Sequence, residues 1–261
     1  MTPAAAERAQ VRWPMLLLCA AVWLCLIVAP DAAGLHAHHG GGMAGRGAAS
    51  LGMMLKHNPP GRLALGWLLM LVAMMGPLLI EPIRHIRDRS FARRRARAIA
   101  LFVSGYVIIW LLVGAVMLPL VFLVKTMAGN SPGPLALSVV VAMLWHGSPL
   151  KQVCLNRGHA HWTLPAFGRA ADLSALKFGW VHGCWCVGSC WAVMLASLML
   201  AKGHLPGMAA VTMLLIVERF ERPQPPRWGW RVPGKAARVV IARTLWRRSP
   251  VKSARPFATA A

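Results

Sequence analysis

The sequence predicts an all-α protein, a polytopic membrane helix bundle of about six transmembrane helices. The first observation behind this prediction is composition, since the 261-residue chain is 57% hydrophobic and only 14% charged. Soluble domains carry about 25% charged residues, so a chain this apolar is expected to lie in a bilayer. The second observation is that basic residues cluster between apolar runs, a pattern typical of membrane topology.

Six apolar runs account for the predicted helices. They are residues 15–29, 63–80, 98–124, 135–146, 176–200 and 205–217. About 20 apolar residues cross a bilayer, so the second, third and fifth runs are long enough and the others are short. The fourth run becomes longer as a kinked span if it continues through residues 147–150. We interpret the first run as a retained anchor, because Pro30 and Asp31 make a poor signal-peptide cleavage site.

The distribution of basic residues gives an orientation. With the amino terminus inside, 24 of the 29 Lys and Arg residues fall on the cytoplasmic side and 5 fall outside. Both termini are therefore predicted to be cytoplasmic, in a multi-pass protein of the bacterial inner membrane. The net charge of +22 is expected to meet anionic lipid at the cytoplasmic face. A nucleic-acid partner is not expected, because nothing in the chain resembles a nucleic-acid-binding fold.

The chain divides into a membrane part and a tail. Residues 1–222 form the predicted integral membrane helical domain, and residues 223–261 form a basic cytoplasmic tail. Within the first part, residues 31–62 are predicted to be an extracytoplasmic loop rich in Gly, His and Met. The predicted capture residues in this loop are His36, His38, His39 and Met43, and it also contains His57, Met53 and Met54. Such a tract predicts a weak metal-capture arm, the alternative being a flexible loop with incidental histidines.

The segment Phe178–Met194 is the most informative, because a histidine and three cysteines interrupt an otherwise apolar run. His182, Cys186 and Cys190 recur every fourth residue and therefore share one face of a helix. Cys184 is the third cysteine. Imidazole, thiolate and thioether form a soft ligand set, which favours Cu(I) first and Zn(II) second. Ionisable groups are costly at membrane depth, so their presence favours a functional site in this segment. The alternative is that these soft side chains only pack in the core.

The second apolar run supplies thioethers at a similar depth. It carries Met74 and Met75 before Pro77, a residue expected to kink the helix. The second and sixth runs are predicted to run inward and the fifth outward. This direction places Glu218, at the end of the sixth run, near the cytoplasmic end of the same bundle. The predicted metal ligands are His182, Cys184, Cys186, Cys190, Met74, Met75 and Glu218.

These motifs resemble those of a bacterial family of predicted metal-binding integral membrane proteins of undefined function. The matching segments are Trp-x-x-Met-x-x-Ala-Met-Met-x-Pro at 67–77, Pro-Leu-Lys-x-x-Cys-Leu at 149–155, His-Gly-x-x-Cys-x-Gly-x-Cys-Trp at 182–191, and Glu218-Arg219 at the end of the last helix. The resemblance covers residues 65–222 and implies metal binding. Many members have adjacent cysteines where this chain has Ser189 and Cys190.

The predicted function is the handling of a soft metal, copper as Cu(I), through delivery or sequestration. A metallochaperone or a metalloenzyme is the expected client. No catalytic residue is predicted, because no nucleophile, base and orienting group occur together. Two alternatives stay open. One is a non-catalytic membrane assembly or interaction subunit. The other is a thiol-redox enzyme, although cysteines four residues apart on an unbroken helix form a strained pair.

Overall fold

The computed structural model describes residues 3–28, 59–129, 131–160, 162–165, 167–200, 203–230 and 234. The α-helices in these ranges are α1 (Pro3–Val28), α2 (Pro60–Met75), α3 (Ile80–Arg89), α4 (Arg95–Ala128), α5 (Gly133–Gly147), α6 (Pro149–Gly158), α7 (Gly168–Met199) and α8 (His204–Phe220). Two short 3-10 helices, Gly76–Leu79 and Ala92–Arg94, precede α3 and α4. The ranges contain no strand, so the all-α class is confirmed for them.

Four helical segments are long and apolar enough to cross a membrane. They are Ala9–Val28, Pro60–Arg89, Ala92–Ala128 and Gly168–Met199. Helices α5 and α6 pass the same test as a pair bent by 66°, which gives a fifth span if the pair crosses as one. Helix α8 occupies the sixth predicted run, but its 17 residues are fewer than the roughly 20 that cross a bilayer. The described residues therefore give four or five spans where the sequence predicts six.

The second span changes helix type in its middle. Helix α2 ends at Met75, the 3-10 turn Gly76–Leu79 follows, and α3 continues the segment. Pro77 lies inside the turn, and a proline removes an N–H donor and clashes with the preceding turn of an α-helix. The expected disturbance at Pro77 is therefore present. It leaves Met75 at the break, as the last residue of α2.

The bend between α5 and α6 has a local cause. Ser148 is the N-cap of α6, and its hydroxyl accepts a hydrogen bond from the Lys151 N–H at 3.2 Å. Pro149 occupies the first helical position, where a missing N–H costs nothing. These two residues end α5 and start α6 in a new direction, as the kink expected at residues 147–150 required. The bend places Lys151 in the first turn of α6, inside the protein.

Helix α7 lies at the centre of the bundle, and its most extensive contact is with α4. Two glycines permit this close approach. A Cβ on Gly179 would overlap the carbonyl oxygen of Phe102, and a Cβ on Gly105 would overlap that of Leu176. Small residues let helix backbones come together in membranes. Helices α5, α6 and α8 also pack on α7, so four helices contact the one that carries the histidine and cysteines.

Candidate metal site

The structure joins the methionine motif of α2 to the cysteine motif of α7. The thiol of Cys186 lies 3.9 Å from the thioether sulfur of Met75, across 111 positions of sequence. Met75 is fully buried and Cys186 partly buried. Neighbouring residues on a helix point about 100° apart, and Met75 rather than Met74 is the one whose sulfur meets the thiol. A thiol and a thioether at this separation form a soft sulfur pair.

Cys190 lies one turn further along α7 and is 1% exposed. Its thiol donates to the carbonyl oxygen of Cys186 at 3.0 Å and lies 4.0 Å from the sulfur of Met194. The thiols of Cys186 and Cys190 also interact with each other. Four sulfur atoms therefore lie along one side of α7, the thiols of Cys186 and Cys190 and the thioethers of Met75 and Met194. We call these four atoms the sulfur row. The row predicted from the spacing of four lies inside the bundle.

Tyr106 of α4 completes the surroundings of Cys186. Its hydroxyl lies 3.2 Å from the Cys186 sulfur, and either atom can donate. The tyrosine is fully buried, so this contact is shielded from water. A hydrogen bond of this kind orients a sulfur ligand and tunes the charge on it. Sequence analysis did not find Tyr106, although it is the single tyrosine of the chain.

His182 lies one turn before Cys186 on α7 and is 6% exposed. Three aromatic rings enclose its imidazole, those of Phe102 at 5.8 Å, Phe178 at 5.8 Å and Tyr106 at 6.1 Å between centroids. The histidine also lines a cavity of about 1080 Å³ at the end of the bundle. His182 therefore lies between an open space and the sulfur row.

Cys184 does not join the other cysteines, because its side chain is exposed. Two residues along a helix correspond to a turn of about 200°, which directs Cys184 away from the side occupied by Cys186. All six cysteines are free thiols. The structure thus divides the three cysteines of the motif into an inward pair and one outward residue.

Glu218 of α8 has another partner. Its Oε1 accepts a hydrogen bond from Lys151 Nζ at 2.5 Å and lies 3.3 Å from His146 Nδ1. The lysine is 2% exposed and the glutamate side chain 11%, so the ion pair is buried. Glu218 and Lys151 both interact electrostatically with Cys190. In this arrangement the carboxylate balances Lys151 beside the sulfur row, with one oxygen already occupied.

The remaining motif residues serve packing. Trp67 is buried, donates from its indole to the Trp110 carbonyl at 2.7 Å, and fills the space left by Gly114. Cys154 packs on Gly188, where a Cβ would lie 2.5 Å from the Cys154 sulfur. Trp67 thus links the methionine motif to α4, and Cys154 links α6 to α7.

Among the described residues, no three His, Cys, Asp or Glu side chains come together as a metal-binding group, so the predicted ligands His182, Cys186 and Cys190 do not form one by themselves. The predicted capture residues lie outside the described residues. They are His36, His38, His39 and Met43.

Residues 64–245 match a protein family described as copper chaperone, nearly the region over which the motifs resemble metal-binding membrane proteins. Neither a curated protein nor a solved structure matches the chain. The family description names copper as the metal that is handled and points to a non-catalytic protein. Because the match covers more than half of its length, the chain belongs to the PpoB2 family of copper chaperones.

Proposed function

We propose that the protein is a membrane copper chaperone that holds Cu(I) at Cys186, Cys190 and Met75 and passes it to a metalloenzyme or metallochaperone client. The observation that carries this proposal is the 3.9 Å approach of the Cys186 thiol to the Met75 thioether. Two helices that are distant in sequence contribute one soft ligand each to a buried point. Because the chain belongs to a copper chaperone family, we assign copper binding to this pair of sulfur ligands.

The ligand chemistry favours copper over zinc, the second choice. Structural zinc sites are closed by four ligands, usually thiolates and imidazoles, whereas the thiols here are accompanied by thioethers. Thiolate and thioether ligands select Cu(I). His182, one turn away, serves as a further ligand on the side of the cavity. The proposed ligand set does not include Met74, Cys184 or Glu218.

The topology proposed for this function has both termini in the cytoplasm of a bacterium and the helices in its inner membrane. Four apolar helices and a bent pair support a membrane location. One cavity is lined by Arg12, Arg89, His159 and Arg222. These residues belong to segments 1–12, 84–97, 148–177 and 219–255, which hold the 24 basic residues predicted to be cytoplasmic. Residues 31–62 then form an outer capture loop, and residues 223–261 a tail against anionic lipid.

A thiol-redox function is the less favoured alternative. Cys186 and Cys190 lie on one continuous helix, and the Cys190 thiol is engaged with the carbonyl of Cys186. A disulfide between successive turns of a helix requires distortion of the backbone. An assembly subunit, the other alternative, gives no reason for two buried thiols beside two thioethers. Binding of copper is the property that separates these alternatives.

The test is copper stoichiometry of the protein purified in detergent under reducing, anaerobic conditions. We expect the wild type to retain Cu(I), and Cys186→Ser and Met75→Leu each to lose most of it at limiting metal. Cys184→Ser is the matched control, because it removes a thiol from the same helix but from its exposed side. Full retention of copper by the Cys186→Ser/Cys190→Ser double variant would falsify the proposed site.

Delivery is tested with the same preparations. Wild-type protein loaded with Cu(I) is mixed with an apo copper protein of the same organism, and transfer is followed by separating the two and measuring copper in each. Transfer faster than the release of copper to a chelator supports delivery. Retention of copper in the presence of every such acceptor supports sequestration instead.

A further inference from the structure

The cavity beside His182 has a charged wall. It measures about 1080 Å³ and lies among α1, α3, the end of α6, α7 and α8, a size typical of small-molecule sites. Its lining includes Pro77, the last residue of the methionine motif, and His182, the first residue of the cysteine motif. His182 lines the cavity and lies four residues before Cys186 on α7. The cavity is therefore about one helical turn, or about 6 Å along the helix axis, from the sulfur row.

Arginines dominate the charge of this cavity. The five that line it are Arg12, Arg84, Arg89, Arg219 and Arg222. They outnumber the three lining carboxylates, two of which, Glu81 and Asp88, pair with Arg84 at 3.2 and 3.7 Å. With five arginines against three carboxylates the cavity has an excess of positive charge, and such an excess concentrates ligands of the opposite sign and raises their association rate. A bare Cu⁺ ion would be repelled, whereas an anion would be attracted.

One of these arginines, Arg219, lines the cavity together with His182. Its guanidinium donates a hydrogen bond to the carbonyl oxygen of Gly158. Copper(I) held by two thiolates carries a charge of −1, and a buried anion requires a partner of opposite charge. Arg219 supplies that charge from the side of the cavity, because Lys151 is already paired with Glu218.

From these observations we propose that the copper reaches the site as an anionic complex of Cu(I) with two small thiolates, drawn in through the arginine-lined cavity. This inference rests on the proposed function, because it names the form in which the cargo arrives. The exchange is balanced: two Cu–S bonds to the small thiolates break, and two to Cys186 and Cys190 form. The two protons of the cysteine thiols pass to the departing thiolates, copper remains Cu(I), and the charge of −1 is conserved.

The test compares two copper donors of opposite charge. One is the Cu(I)–glutathione complex, which is anionic, and the other is tetrakis(acetonitrile)copper(I), which is cationic. The cavity variant is Arg89→Gln/Arg222→Gln, which removes two exposed arginines from the wall. The control is Arg93→Gln/Arg169→Gln, which makes the same change of net charge at exposed positions outside the cavity. The rate of copper loading is measured for each protein with each donor.

We expect the cavity variant to load about 10-fold more slowly than wild type from the glutathione complex, and no more slowly from the acetonitrile complex. The control should load like wild type from both donors. Raising the salt concentration should slow wild-type loading from the glutathione complex alone, since salt screens the attraction. Equal slowing of the cavity and control variants, or loading from the cationic donor only, overturns the inference.

The proposed function fails by a different result. If wild-type protein takes up copper from neither donor, the chaperone site itself is wrong. If it takes up copper from both donors at rates that do not depend on Arg89 and Arg222, the proposed copper site is supported. The inference that copper enters as an anionic complex is then refuted.

Discussion

Lys151 Nζ lies 2.5 Å from Glu218 Oε1 and joins the start of α6 to the end of α8 within the protein. The lysine also lies 2.8 Å from His146 Nδ1, so it contacts the last turn of α5 as well. Glu218 Oε2 is buried and has no hydrogen-bond partner among the described residues. This cluster holds together the bent pair α5–α6 and the last helix, and it does so beside the sulfur row.

Breaking this ion pair from one side should destabilise the protein severely. Lys151→Met leaves a buried carboxylate without its cation, which typically costs about 3–5 kcal/mol. The free energy of unfolding in detergent, measured by denaturant titration, checks this value. Arg97→Gln is the control, because the Arg97 side chain is 70% exposed and an exposed pair contributes under about 1 kcal/mol. A Lys151→Met variant as stable as the control would contradict a buried pair.

Replacing both partners decides whether Glu218 is a copper ligand. Lys151→Met/Glu218→Leu removes both charges, and a buried pair replaced by apolar residues is often close to neutral in stability. If Glu218 only balances Lys151, the double variant should fold and bind as much copper at saturation as wild type. Copper measured per purified protein gives the answer. A folded double variant with lost copper would return Glu218 to the ligand set.

The contact between α4 and α7 should not tolerate a methyl group. Gly179→Ala places a Cβ against the carbonyl oxygen of Phe102, so the two helices must separate. We expect a loss of at least about 1–3 kcal/mol, the usual cost of overpacking. Gly61→Ala is the matched control, because no atom lies within 4 Å of a Cβ built there. Melting temperatures in detergent that are equal for the two variants would contradict the close approach.

Tyr106→Phe should weaken copper binding without unfolding the protein. The substitution keeps the ring and removes only the hydroxyl that lies 3.2 Å from the Cys186 sulfur. Loss of a hydrogen bond to a metal ligand typically lowers metal affinity by 10- to 100-fold. Competition with a Cu(I) chelator measures the affinity, and a melting curve checks the fold. Unchanged affinity in a folded Tyr106→Phe protein would show that the hydroxyl does not support the ligand.

The topology is open to direct measurement. Fusions of a reporter active only in the cytoplasm, placed after Arg222 and within the turn at Ser131, should be active at the first position and inactive at the second. A partner reporter active only outside should give the opposite pattern. This result follows from the asymmetric distribution of Lys and Arg. An external reporter signal after Arg222 would leave the cavity on the opposite side of the membrane.

Much of the fold followed from local patterns. The four longest apolar segments, the break at Pro77 and the bend at Pro149 were all readable, because each depends on hydrophobic length or on a missing N–H. The sixth span was less secure. Its apolar run is short, and α8 ends at Phe220 after 17 residues. Whether so short a helix crosses alone depends on its neighbours and not on its own composition.

The candidate ligand set could be predicted only in part from the sequence. A spacing of four placed His182, Cys186 and Cys190 on one face, as a helix of 3.6 residues per turn requires. The same periodicity does not say which of Met74 and Met75 reaches the cysteines, because this depends on the rotation of α2 against α7. It also gave no partner for Glu218, whose nearest cation lies 67 positions earlier in the chain.

The sequence by itself therefore determined the class of the protein, its apolar helices and the soft character of its candidate ligands. These properties are local, since they depend on composition and on spacing within one helix. The tertiary structure decided that Cys186 meets Met75, that Cys184 faces outward, that Lys151 neutralises Glu218, and that arginines from α1, α3 and α8 share one cavity. Each of these depends on how separate helices rotate and pack, and helix packing is set by the shapes of both partners at once.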